Sequence, residues 1–201
     1  SNYSAKAVAK SVVTHPSFLA KSTDPLESID TVAGLQIIRP EQYARLLRAL
    51  TGFEWIVGVA QGPYGDADLL NNDQVGFRMM AGGIDGVNVT TPSHVSTPTR
   101  LMMMRAASLD AAAFVVDTDL TLPPESRILL NAYTGDGETE TRALLQDLHR
   151  RVLLEDLEAD SAEITDSFVF LESALSTSGG QEEALKLLIA AMLQSPDVLF
   201  Y

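Results

Sequence analysis

The segment Leu101–Val116 constrains this chain more than any other. It reads Leu101-Met102-Met103-Met104-Arg105, then continues through Ala111-Ala112-Ala113-Phe114-Val115-Val116, and is apolar nearly all round. Thr97 and Pro98 ahead of it supply an N-cap and a first-turn proline. A helix with no polar face belongs in the middle of a bundle, so other helices are expected to surround it. Its three consecutive methionines read as adaptable core filler, not as soft ligands for a metal or haem.

The surrounding helices are legible from period and punctuation. Tyr3 to about Val13 is an Ala- and Lys-rich helix that ends before His15-Pro16. Pro40 to Leu50 begins with proline, stops at Gly52 and places Tyr43, Leu46, Leu47 and Leu50 on one stripe. Pro123-Pro124 is expected to open a short helix from Glu125 to Tyr133, closed by Gly135. From Thr139 to about Glu158 runs what should be the longest amphipathic helix, with Leu144, Leu145, Leu148, Val152 and Leu157 aligned. Asp160 and Glu163 resemble a capping box ahead of Ile164, Phe168, Leu171 and Leu175. A last helix, Gln181 to Gln194, buries Leu185, Leu188, Ile189 and Met192 before Ser195-Pro196. The expected fold is therefore mainly α, a multi-helix bundle of roughly six to eight helices in a single domain spanning 1–201.

Residues 53–96 interrupt this pattern. Seven glycines and no sustained 3.6 period describe a long Gly-rich irregular insertion with short strands or turns. Long irregular segments in compact domains are often functional, so a site is expected here. Gly82-Gly83-Ile84-Asp85-Gly86 lacks the lysine of a P-loop and the spacing of a dinucleotide fingerprint; it reads as a tight turn using positive φ.

Charge and composition remove whole classes of function. The chain of 201 residues carries 14 Lys+Arg against 27 Asp+Glu, a formal net charge of −13. Clustered cations that could meet phosphate are missing, which argues against nucleic acid and anionic membranes as partners. No apolar run approaches the roughly 20 residues of a membrane-spanning helix. Cys is absent, so thiolate catalysis, Cys-ligated metal and C-x-x-C-H haem attachment are excluded. His15, His94 and His149 have no second His at helical spacing, and no resident metal or cofactor is expected. His149, in the middle of an acidic helix, reads as a surface or interface residue. Two acidic loops, one with Asp66, Asp68 and Asp73 and one with Asp136, Glu138 and Glu140, depart from the EF-hand pattern.

Two stretches carry a resemblance. Gly76-Phe77-Arg78-Met79-Met80-Ala81-Gly82-Gly83-Ile84-Asp85-Gly86, followed by Val89-Thr90 and Pro98-Thr99-Arg100-Leu101, is one. Leu187 to Tyr201, ending Ser195-Pro196-Asp197-Val198-Leu199-Phe200-Tyr201, is the other. Both resemble the large secreted multidomain proteins of planctomycetes and related bacteria, of unknown function and often joined to c-type cytochrome domains. There a YGGID segment precedes a P-T-x-L helix and a terminal helix ends in S-P-x-F-L-Y-R; the aromatic order here departs from that ending. The likeness covers residues 40–201 loosely. It implies the N-terminal portion of a longer exported protein, periplasmic or extracellular, whose partners are the other domains of the polypeptide or a cytochrome c domain. Lacking Cys, this chain is not the haem module, and the family supplies no catalytic residue to carry over.

Two functional expectations follow. The first is a non-catalytic helical interaction or ligand-docking module. The second is a polysaccharide-active or other hydrolytic enzyme with its site in residues 62–100. For the latter Arg78 and Arg100 suit anionic groups, and Asp85 and His94 suit proton transfer.

Overall fold

The computed structural model describes residues 37–58, 66–72, 76–84, 89–91, 97–135 and 137–200. All belong to one compact unit, Ile37–Tyr201. The helix expected near Tyr3–Val13 lies outside the described residues.

Among the described residues the fold is a multi-helix bundle with very little strand. In chain order the elements are α1 (Pro40–Thr51), β1 (Ile56–Gly58), β2 (Asp66–Asp68), α2 (Phe77–Met80), α3 (Pro98–Asp119), α4 (Glu138–Leu148), α5 (Ala162–Ser178), α6 (Gln181–Leu193) and α7 (Pro196–Leu199). A 3₁₀ turn covers Pro124–Ser126, and a π-helical segment covers His149–Leu153 directly after α4. β1 and β2 pair antiparallel with Ile56 opposite Asp68. The first and last described segments meet: the Ile38 amide donates to the Leu199 carbonyl at 2.7 Å.

α1 forms as its sequence dictates. Pro40 opens it, and Gly52 ends it in the left-handed region at φ 71°, which costs glycine no Cβ clash. Its buried stripe, Tyr43, Ala44 and Leu47, packs on α3. α3 also packs on α6, and α6 on α5. A polar thread runs through this buried core. The Tyr43 hydroxyl donates to the Leu193 carbonyl at 3.1 Å and lies 2.5 Å from Ser108 Oγ, which is 2.7 Å from the Met104 carbonyl. Burial pushes the Tyr43 phenol up to about 12, against a smaller opposing effect of the Ser108 hydrogen bond.

Four expectations need correction. Among the described residues α3 is the longest helix, and it is not buried all round. Met104, Ala107, Ser108, Ala111, Ala112, Val115 and Val116 face the core, whereas Leu101 is 47% exposed and Met102 is 71% exposed. Small alanines on the inner face let neighbouring helices approach closely, and Leu101 and Met102 on the outer face stay exposed. Methionine filler is therefore a fair description of Met104, not of Met102.

Glu125–Tyr133 is not a helix. The Asp119 carboxylate, fully buried, accepts the amides of Ile128, Leu129 and Leu130, each at 2.8 Å. Arg127 donates to the carbonyls of Leu122 and Tyr133, and Arg151 to those of Ile128 and Leu129. Side chains thus supply the partners that a helical ladder would have supplied to this strap, of which Leu129 and Leu130 are buried.

Thr139–Glu158 is not continuous either. It turns π-helical at His149 and stops at Leu154, a non-glycine residue in the left-handed region (φ 59°, ψ 29°). Finally, the cap of α5 is Ser161, whose side chain accepts the Ile164 amide, one residue beyond the expected Asp160.

Candidate functional site

The break after α4 assembles three polar side chains that an unbroken helix would hold apart. On a regular helix residues six apart lie roughly 120° away from each other around the axis. The π segment and the reversed backbone at Leu154 instead fold Glu155 back, so its carboxylate lies 2.9 Å from His149 Nδ1. On the other side of the ring, His149 Nε2 lies 2.9 Å from Ser167 Oγ, which projects from the middle of α5. His149 is only 5% exposed, while Glu155 and Ser167 are both partly open to solvent.

This order of groups fixes the tautomer. A carboxylate can only accept, so in the neutral ring Nδ1 carries the proton and donates it to Glu155. Nε2 is then an acceptor, and the Ser167 hydroxyl donates to it. A hydroxyl, an imidazole and a carboxylate in this sequence are the parts of an activated nucleophile. The same bonds also tether the π segment to α5. Of the two roles expected for His149, surface or interface, the surface one is corrected: the ring is buried and bonded on both nitrogens. Sequence alone could not find it, because the three residues become neighbours only through a backbone break that no periodicity announces.

A cavity of about 430 Å³ has Phe168, Leu171 and Leu175 of α5 and Thr141 of α4 in its wall; Leu171 follows Ser167 by one helical turn, and Ser167 itself does not line it. Glu138 and Glu172 line it as well. Arg142 stacks on Phe168 with its guanidinium carbon 5.0 Å from the ring centroid, and its Nε donates to Glu138 at 2.9 Å.

Of the four residues expected to bind ligand, Asp85 and His94 lie outside the described residues. Arg78 and Arg100 are both oriented around Glu41. The Arg78 Nε donates to Glu41 Oε1 at 3.0 Å, and the Ile84 amide reaches the same oxygen at 3.2 Å. Burial pushes the Glu41 carboxyl up, yet bonds from backbone amides and Arg78 together hold it below its ordinary value. Arg100 is 1% exposed and donates to the Ile38 carbonyl. Its guanidinium is lowered by burial, opposed by the charge of Glu41. The turn that follows Arg78 uses positive φ at Gly82, as the glycine pattern predicts. At Gly83 a Cβ would stand 2.7 Å from Arg78 and 2.9 Å from Glu41 Oε1, so this turn closes tightly on the ion pair.

The Asp68 carboxylate of the first acidic loop accepts the Leu70 amide at 3.0 Å and the Asn71 side-chain amide at 2.5 Å, a turn-stabilising role. No cluster of three or more potential metal ligands occurs among the described residues, and none of their helices is long and apolar enough to cross a membrane. No protein-family model, curated protein or solved structure matches this chain.

Proposed function

We propose that this chain is a helical docking module of an exported, cytochrome-associated multidomain assembly, contacting an adjoining domain of its own polypeptide through the outer face of α3. The observation that carries the reading is the apolar surface at the start of that helix. Leu101 and Met102 stand exposed there, beside a cavity of about 320 Å³ lined also by Met104, Arg105, Gln194 and Leu199. Methionine and leucine side chains around a shallow groove adapt to an apolar partner, and a single arginine at its edge favours an acidic rim on that partner. The resemblance to secreted multidomain proteins supplies the class of partner and the periplasmic or extracellular setting.

The reading of a hydrolytic site in residues 62–100 has less support. Arg78 and Arg100 are engaged by Glu41 and by the Ile38 carbonyl, so both serve the packing of α1 against its neighbours.

The test is to produce the adjoining domain separately and titrate it calorimetrically with this chain. Binding is expected, with Met102→Glu and Leu101→Glu each weakening it at least about tenfold, as burial of an unpaired charge requires. Absence of binding, or affinities unchanged by both substitutions, would refute the docking face.

A further inference from the structure

We infer that Ser167 is an activated nucleophile that attacks carboxylic esters with short apolar acyl chains. The inference goes beyond docking, which needs no polarised hydroxyl. It rests on the geometry around His149. Ser167 Oγ and the Glu155 carboxylate each lie 2.9 Å from opposite nitrogens of one buried imidazole. Ser167 as a residue is partly exposed. Burial of the ring and its two-sided bonding hold the base in the tautomer that accepts the hydroxyl proton.

The nearby cavity sets the substrate class. Ser167 and Leu171 share a face of α5 at i, i+4, so the apolar wall of Phe168, Leu171 and Leu175 begins within one turn of the nucleophile. An acyl chain of a few carbons can lie along it. Of the lining carboxylates Glu138 is paired with Arg142, while Glu172 opposes anionic substrates and favours neutral esters.

The step balances within these groups. Ser167 Oγ bonds to the ester carbonyl carbon as its proton passes to His149 Nε2. The bond from that carbon to the leaving oxygen breaks, and the leaving group departs with the proton. Water repeats the sequence on the acyl-serine and releases the acid. Ser167 lies mid-helix, where its own amide is committed to the helical ladder and donates nothing to an oxyanion. Good leaving groups are therefore required, and deacylation is the slow step.

The test uses the whole chain with a fluorophosphonate and with p-nitrophenyl butyrate, read by intact mass and peptide mapping. Phosphonylation forms the Oγ–P bond and expels fluoride. One adduct on Ser167 is expected, together with a burst of p-nitrophenolate. Ser167→Ala, which raises helix propensity at its position and keeps the fold, abolishes both. His149→Gln lowers the labelling rate at least about 100-fold, the usual scale for a lost general base. Glu155→Gln lowers it less and serves if His149→Gln does not fold. The inference is overturned if wild-type protein gives no adduct at Ser167. It is equally overturned if other serines label as fast, or if folded His149→Gln or Glu155→Gln label at the wild-type rate.

Discussion

Asp119→Ala offers the sharpest check of how this bundle is held together. Its carboxylate accepts three amides at 2.8 Å, and two of those amides, on Leu129 and Leu130, belong to fully buried residues. An unsatisfied buried donor costs about 1–3 kcal/mol. Ile128 is partly exposed, so water can replace the lost acceptor there and that amide adds little. The two buried amides then set a loss of about 4 kcal/mol. In a domain of this size that lowers the melting midpoint by about 8–16 °C. Asp119→Asn is the informative companion. Each carboxylate oxygen accepts from at least one amide, so an Nδ2 group must point a donor at a donor whichever way it is turned. Its least harmful placement faces Ile128, at a cost of about 2 kcal/mol. Urea unfolding followed by circular dichroism at 222 nm, with unchanged m-values, measures both. A loss below about 1 kcal/mol for Asp119→Ala, or wild-type stability for Asp119→Asn, would refute the claim that this carboxylate organises the strap.

Other expectations are narrower. Because the Tyr43 phenol titrates near 12 in the folded protein against 10.0 ordinarily, it contributes stability that is complete below pH 10 and lost as pH rises through 12. The alkaline loss, about 2–3 kcal/mol, should shrink in Tyr43→Phe when unfolding curves from pH 8 to 12 are compared. Glu41 works in the opposite direction: its lowered carboxyl contributes above its unfolded value and loses that contribution as pH falls through the folded one. Glu41→Gln should accordingly flatten the acid limb of stability. Gly83→Ala forces a methyl group against Arg78 and Glu41 and should cost about 1–3 kcal/mol by thermal melt. Leu154→Gly relieves a left-handed leucine that is 87% exposed and should raise stability by about 0.5–1 kcal/mol.

Most of the bundle could be read from its residues, and the exceptions share a cause. α1 and α6 follow their stripes because nothing in their surroundings competes with the helical ladder. Where a side chain can satisfy backbone groups, local pattern fails. Pro123-Pro124 promised a helix, but Asp119 and Arg127 offered its amides and carbonyls other partners. The stripe through Leu144, Leu148 and Val152 continues past Leu148 with those side chains buried, so hydrophobic period gave no warning of the π segment. An apolar outer face at Met102 is likewise invisible, since composition does not reveal whether a neighbour exists to cover it. The candidate site was the least legible part. Its serine and histidine are 18 residues apart, and only the π segment aims the imidazole at α5.

That widened coil has an effect beyond the imidazole. In a uniform α-helix, consecutive side chains fan out at equal angles and serve one neighbour per turn. Here His149 reaches α5, Arg150 turns back to Asp147, and Arg151 spans to the carbonyls of Ile128 and Leu129. The first and third of these positions thereby join the segment to two separate parts of the chain, while Arg150 stays within its own helix. Removing one amino acid from this stretch would re-thread the following turns into ordinary register and unfasten both seams at once, which no single side-chain replacement can do.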